Sequence, residues 1–377
     1  MNEQLTYEQI VEGTTSVFVP QQQTKEKGPG RKQGLAFYNP AMELNRDFSI
    51  AVVQWFLSKS KGKKISLLDG LAATGIRGIR FIHELTGSFH VTINDWSDEA
   101  YAVIQKNGKE INSDRLSYTK QNLNQLLLQK RFDYIDIDPF GSPVLFIDSA
   151  MKSIRHQGIL AVTATDTAAL CGVYPKVCKR RYAAKPYHGA VMHEIGLRIF
   201  LGFVAREAAK HEKGIRPILS YKTDHYMRLY VQIYHNIPSA NESINHVQLI
   251  PSSDFYPFQS EKNDVVGPMW TGGLHSKKIV KKIEKIVEQR HFGCKRKMGK
   301  LLSFFKDEAE APLFYFTTDD LGSLLHCSPP KLEQLWDIFK QNNIAIYKTQ
   351  FHPTGFKTPA SFQKVKKLFL DSCQTTS

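Results

Sequence analysis

The chain has 377 residues, enough for two domains of ordinary size, and its 42% hydrophobic content suffices for a globular core. Fifty Lys and Arg against 36 Asp and Glu give a formal charge of +14, which favours an anionic partner such as nucleic acid, with a Lys-rich solvated surface as the alternative. Five cysteines, at 171, 178, 294, 327 and 373, form no Cys-x-x-Cys pair, which excludes a zinc ribbon or thioredoxin-type motif and fits a reducing compartment.

The start, "MNEQLTYEQIVEG", is acidic and has no apolar core of a signal peptide. The segment "TTSVFVP" predicts a short strand, and the polar, glycine-rich "QQQTKEKGPGRKQG" after it predicts a mobile basic loop. A helix is expected from Pro40 to Leu57, proline being tolerated in a first turn. From residue 65, strands "ISLLD", "VTIND", "RLSYT", "FDYIDID" and "GILAVTATD" alternate with helical stretches at Ile76–Leu85, Asp98–Ile111 and Val144–Arg155, the pattern of a parallel sheet covered on both faces. "RPILSYKTD" and "YMRLYVQIYH" predict a hairpin at the sheet edge. The best apolar run, "IGLRIFLGFVA", is interrupted by Arg198, so no membrane span is expected and the protein reads as cytoplasmic.

Residues 236–275 read as irregular. Ser276–Lys300 then reads as a helix with ten basic and two acidic residues, its apolar face kept by Ile279, Ile283 and Ile286; a solvated face is the alternative to a nucleic-acid contact. A domain boundary is expected near residue 273, dividing 1–272 from 273–377. The second part reads as a small α/β module with helices near 317–326 and 330–341 and a strand at "AIYKTQF", followed by a basic tail.

Three loops carry the chemistry. "LLDGLAATGIRG" is a strand ending at Asp69 followed by a glycine turn; Ile76 and Arg77 stand where a Walker motif needs Lys and Ser or Thr, so a nucleotide P-loop is excluded. Asp95 in "VTINDWS" is placed to accept from ribose hydroxyls, with a helix cap as the alternative. These two suit an adenosine-type ligand without separating a nicotinamide dinucleotide from S-adenosylmethionine. "DIDPFG" separates them: Asp138 is an acceptor, Pro139 offers a carbonyl without an N–H, and Phe140 supplies a stacking face. Two acceptors and a ring suit a planar base with an exocyclic amine. A tight turn with a capping Asp is the competing reading. Lys179, Arg180 and Arg181 with Tyr174, Tyr182 and Tyr187 suit phosphate contact and stacking, or an ordinary basic loop. Cys171 and Cys178 read as structural, and His188 and His193, with no matching third ligand for a metal, as structural or RNA-facing.

The segments "FYNPAMELNRD", "ATGIRGIRF", "IDIDPFGSP", "VTATDTAALCG", "HEIGLRI", "GPMW", "PLFY" and "FHPTGFKT" resemble the tRNA guanine-N2 dimethyltransferases of the archaeal type, which act at tRNA position 26. The resemblance spans nearly the whole chain. It implies a Rossmann-like α/β methyltransferase sheet with a small α/β C-terminal domain that binds tRNA, S-adenosylmethionine as methyl donor, and no obligate protein partner. It implies that Arg46 and Arg77 reach the donor carboxylate, that Asp95 with Trp96 holds the ribose, and that Asn122 and Leu123 lie near the adenine, Asn122 standing where the family usually has Asp. Asp138, helped by the Pro139 carbonyl, would accept the guanine amine, with Phe140 and Phe37 stacking on the base and Asp136 supporting from one step behind. "FHPTGFKT" is a further candidate for RNA contact. Some family members hold zinc through cysteine pairs before "GPMW"; this chain has no Cys between 178 and 294, so no metal is expected. The rival readings are another nucleic-acid amino-methyltransferase and an RNA-binding protein without activity.

Overall fold

The computed structural model describes residues 6–21, 37–109, 111, 113–223, 225–254 and 264–374. The basic loop expected after the first strand lies, apart from Gln21, outside them.

Strands β1 (Tyr7–Glu12) and β2 (Thr15–Pro20) form an antiparallel hairpin, the first of the two unanticipated from sequence. Alternation along β2 buries Val17 and Val19. Helix α1 (Glu43–Leu57) follows a single 3-10 turn capped by Asn39, whose Oδ1 accepts from Ala41 N at 2.9 Å. The expected alternation then appears: β3 (Ile65–Asp69), α2 (Ile76–Glu84), β4 (Phe89–Asn94), α3 (Asp98–Gly108), β5 (Leu116–Thr119), α4 (Leu123–Gln129), β6 (Phe132–Ile137), α5 (Val144–Ser153) and β7 (Ile154–Ala164). Two short helices, α6 (Thr167–Leu170) and α7 (Pro175–Tyr182), lead to the long α8 (Met192–Ala209), and β8 (Lys213–Lys222) and β9 (Met227–His235) form the expected hairpin.

These strands make one sheet in the order β5-β4-β3-β6-β7-β9-β8, parallel from β5 to β7 and antiparallel at β9 and β8. Pro217 sits beside a register shift on the outermost strand, the place where a residue without an N–H costs the ladder least. Strand order reverses between β3 and β6, so the crevice for a ligand opens at their carboxyl ends, where Asp69 and Asp138 stand. The "IGLRIFLGFVA" run is the buried middle of α8. Arg198 is tolerated there because Nε donates to Glu194 Oε1 at 2.9 Å and Nη1 to the carbonyls of Trp270 and Gly272, each at 3.0 Å. Among the described residues no helix is long and apolar enough to cross a membrane.

Residues 236–275 are more regular than their Pro, Ser and Asn content suggests. They contain α9 (Ile237–Asn245) and the antiparallel pair β10 (Val247–Pro251) and β11 (Val265–Trp270), and α9 is capped by Asn236. The basic stretch is two helices, α10 (Lys277–Gln289) and α11 (Lys295–Glu308). The break falls where the chain passes α1: a Cβ on Gly293 would sit 1.9 Å from Glu43 Oε1, and the Cys294 amide donates to Asp47 Oδ2 at 2.9 Å, satisfying one of the open amides of α11. Val280, Ile283, Val287, Met298, Leu302 and Phe305 join the same apolar core as α1 and the sheet. A separate core begins later, in β12 (Phe316–Thr317), α12 (Thr318–Leu325), α13 (Leu332–Gln341), β13 (Tyr347–Lys348), β14 (Gly355–Lys357) and α14 (Phe362–Gln374). Leu321, Leu335, Phe339, Phe356, Val365, Leu368 and Phe369 fill it. The helix α14 was hidden in the basic tail. "FHPTGFKT" is mostly buried: Phe356 is in that core, and Lys357 crosses to α8, where Nζ donates to Glu194 Oε1 at 2.6 Å.

Candidate active site

The donor side is built from three strand ends. Gly75 precedes α2 at φ +76°, a conformation that favours glycine, and in the first turn of α2 the Gly78 amide donates to Asp69 Oδ2 at 3.0 Å. Asp95 is nearly buried; one oxygen accepts from Ala73 N at 2.9 Å and the other from Ser97 N at 3.1 Å, so it ties the glycine turn to the end of β4. Asn94 adds bonds from Nδ2 to the carbonyls of Gly70 (3.0 Å) and Gln121 (3.1 Å). Trp96 beside it is largely exposed. Asn122 caps α4, its Oδ1 accepting from Asn124 N at 3.0 Å, while Leu123 is buried against Gly70. The buried side-chain amide oxygens Gln121 Oε1 and Asn124 Oδ1 have no partner among the described residues, leaving two unpaired acceptors between β5 and the first turn of α4.

The acceptor side is a buried network of charges. Asp138 is paired with Arg77 Nη2, and its side chain is 16% exposed, so it reaches the mouth of the crevice. Arg77 is otherwise occupied: Nη1 donates to Asn45 Oδ1 (2.8 Å) and Ser49 Oγ (2.7 Å) and lies 3.3 Å from Asp136, and Nε is 3.7 Å from Asp69. Behind them Asp136 is fully buried, on the same side of β6 as Asp138 by strand alternation. It is gripped by Arg228 of β9, Nη1 to Oδ1 at 3.0 Å and Nη2 to Oδ2 at 2.6 Å, and it accepts from Tyr134 OH at 2.6 Å. Burial by itself would raise the Asp136 carboxyl, but Arg228 and Arg77 together outweigh it and hold it below the usual carboxylate range. Asp69 lacks such a grip: burial, only partly offset by Arg77, pushes it up to about 7.

The rim is aromatic. Phe140 is 52% exposed, and its ring meets Phe37 edge to face at 5.1 Å between centroids. Its loop is fastened to the end of β7, since Gly141 N donates to Thr165 Oγ1 at 2.6 Å and Thr165 N to Gly141 O at 2.9 Å. Ser142 Oγ lies 3.0 Å from Tyr182 OH, which donates to Asp166 at 2.7 Å. Tyr182 is therefore a buried tie rather than a stacking platform, and Arg181 is also held by Asp166, at 2.9 Å. Tyr174 remains exposed.

Of the residues expected at the site, the structure brings Asp138 and Arg77 together, and Phe37 with Phe140. Arg46 points its Nε to Glu12 Oε2 (2.7 Å) and one Nη2 proton to Asn39 O (3.0 Å); Nη1 has no partner among the described residues. Glu12, also bound by Tyr38 OH at 2.7 Å, comes from the unanticipated strand β1. Asn45, Ser49, Arg228 and Tyr230 also went unread; an arginine inside the apolar strand "YMRLYVQIYH" was the one available signal. No group of three His, Cys, Asp or Glu suited to a metal occurs among the described residues.

The family model described as "TRM: N2,N2-dimethylguanosine tRNA methyltransferase" matches residues 13–369. The chain is 35% identical to the tRNA (guanine(26)-N(2))-dimethyltransferase of Pyrococcus abyssi, over 94% of this chain and 96% of that one. It is 34% identical to the protein of the same name from Methanosarcina barkeri, over 97% and 98%. The structure of Trm1 from Pyrococcus horikoshii in complex with S-adenosyl-L-methionine superposes with a TM-score of 0.85 at 32% identity, covering 96% of this chain and 99% of that one. Fold and site thus define a Rossmann-like, S-adenosylmethionine-dependent methyltransferase. The chain belongs to the N2,N2-dimethylguanosine tRNA methyltransferase family, and its reaction is the methylation of the N2 amine of guanosine 26 in tRNA.

Proposed function

We propose that Asp138 is the proton acceptor for the guanine N2 amine, with the Pro139 carbonyl as second acceptor and Phe140 and Phe37 stacking on the base. The observation that carries this is the placement of one partly exposed carboxylate, held by Arg77, beside two rings at the carboxyl edge of the sheet. S-adenosylmethionine supplies the methyl as an electrophile. The amine donates one proton to Asp138 and the other to the Pro139 carbonyl, which aims its lone pair away from both. As the nitrogen–methyl bond forms and the sulfur–methyl bond breaks, the nitrogen sheds a proton to Asp138, which passes it to water. In the second round the nitrogen has one proton left, so Asp138 keeps its role and the Pro139 carbonyl loses its donor. The target base is stacked inside the folded tRNA and must be drawn out, at about a few kcal/mol, before the rings can grip it.

On the donor side, Glu12 fixes Arg46 and leaves Nη1 for the donor carboxylate, with Arg77 beside it. Asp95 accepts from the ribose with Trp96 alongside. Asn122 and Leu123 flank the adenine, whose amine suits the two open acceptors of Gln121 and Asn124. The chain beyond residue 272 binds tRNA, through the lysine face of α10 and the separately cored segment after residue 315. The enzyme works in the cytoplasm without an obligate protein partner.

The test of the central role is Asp138→Asn in single-turnover methylation of a tRNA transcript, with donor binding followed by calorimetry. A loss of at least about 100-fold in rate with donor affinity changed by less than about threefold is expected; near-normal turnover would sink the assignment.

A further inference from the structure

Three carboxylates and two guanidiniums meet at the carboxyl edge of the sheet: Asp69, Asp136 and Asp138 against Arg77 and Arg228. With every group ionised the acids outnumber the cations by one, so how the two arginines are shared decides which carboxylate is held. Arg228, wholly buried, spends both terminal nitrogens on the two oxygens of Asp136 and is fixed by Thr163 Oγ1 at 2.9 Å and Ser49 Oγ at 3.2 Å. Its guanidinium also lies over the Tyr230 ring, 4.6 Å from the centroid. Arg77 stands 3.3 Å from Asp136, further than either Arg228 contact, and its Nη2 goes to Asp138.

We propose that Arg228 is a positioning residue for methyl transfer: by holding both oxygens of Asp136 it leaves the Arg77 guanidinium to orient Asp138. This rests on the reading of Asp138 as the proton acceptor. Without Arg228, Asp136 would be a buried carboxylate whose nearest cation is Arg77, and an uncompensated buried charge is costly enough to draw that cation inward. Asp138 would then lose the partner that fixes its direction at the mouth. A bidentate fork is needed for this, which is why arginine rather than lysine suits the position.

The test is steady-state kinetics of the full-length enzyme on a tRNA transcript containing guanosine 26, for Arg228→Met, Arg228→Lys, the double variant Arg228→Met/Asp136→Asn, and Asp138→Asn. Arg228→Met is expected to lower kcat about 100-fold, with KM for tRNA within about threefold. Adding Asp136→Asn is expected to recover at least about tenfold of kcat, because it removes the charge that recruits Arg77. Loss of packing around Tyr230 would not be repaired by that change. A kcat for Arg228→Met within about threefold of the parent, or no recovery in the double variant, overturns the proposal. If circular dichroism shows that Arg228→Met does not fold, Arg228→Lys decides: a loss of about tenfold in kcat at unchanged KM for tRNA supports it, and full activity overturns it. An active Asp138→Asn variant would remove the underlying reading, whereas an inactive one beside a fully active Arg228→Met would remove only the role of Arg228.

Discussion

Phe140 is a large apolar side chain left half in water at the rim of a crevice, on a loop that Thr165 holds in place. Exposure of such a ring contributes nothing to folding and matches the need for a face on which an extruded base can stack. A base on an aromatic face is worth about 1–3 kcal/mol. Phe140→Ala is therefore expected to lower kcat/KM for tRNA about 10- to 100-fold, leaving donor affinity and the melting temperature unchanged. Initial rates at varied tRNA, together with a thermal melt, check both halves; an equal loss of donor binding would place the ring elsewhere. Tyr182 makes the contrast: it was a stacking candidate on composition, yet its ring is packed against Phe200 and Phe203 and only its hydroxyl reaches the site loop.

At the scale of elements, the C-terminal module is joined to the sheet by buried polar contacts. Glu308, at the end of α11, accepts from Thr349 Oγ1 at 2.5 Å and from Gln350 Nε2 at 2.7 Å, with His275 Nε2 at 3.2 Å. Gln350 in turn bonds the edge strand, Nε2 to Ser220 O at 3.2 Å. Burial alone would raise the Glu308 carboxyl, but the His275 hydrogen bond, the Lys357 ammonium and the Thr349 hydrogen bond outweigh it and hold it at about 2. A folded value below the unfolded one means stability that is present above the ordinary carboxylate value and is lost as pH falls towards 2. Over that window the contribution is up to about 3 kcal/mol. Glu308→Gln should flatten the fall in urea-unfolding free energy between pH 4.5 and 2; an unchanged pH slope would show that the carboxylate is not what couples the module to acid.

For the whole molecule, part of the net charge of +14 is gathered on one helix face. Lys278, Lys281, Lys282 and Lys285 are exposed on α10, and none has an acid partner among the described residues. Lys59 adds to the same face, since burial and then the nearby Lys282 and Lys278 charges lower its pKa. Cations kept close together without acids suit a polyanion. Replacing Lys278, Lys282 and Lys285 by Glu is expected to weaken tRNA binding and to reduce the slope of log affinity against log salt by up to about 3, without changing donor affinity. Filter binding at several salt concentrations measures this; an unchanged slope would make the face a solvated surface.

The sequence by itself determined the class of fold and the chemistry of its edge. Period-two apolar runs separated by helix-length gaps specify a covered parallel sheet, and "DGLAATG", "ND" and "DPFG" each mark a strand end, because acids, glycines and prolines end strands for local reasons. The apolar stripe of α14, Val365, Leu368 and Phe369, was also present but masked by its lysines. Tertiary structure decided what no local pattern encodes. The break between α10 and α11 depends on Asp47 and Glu43 of a distant helix. That the core of the last module starts near residue 316 rather than at the composition change near 273 follows from which apolar faces meet. The partners of Arg46, Arg77 and Asp136 come from β1, α1 and β9, up to 92 residues apart in the chain, as between Arg228 and Asp136. A carboxylate announces its own chemistry in sequence, but the cation that fixes its charge and direction is chosen by folding, because ion pairing needs proximity in space and places no demand on spacing along the chain.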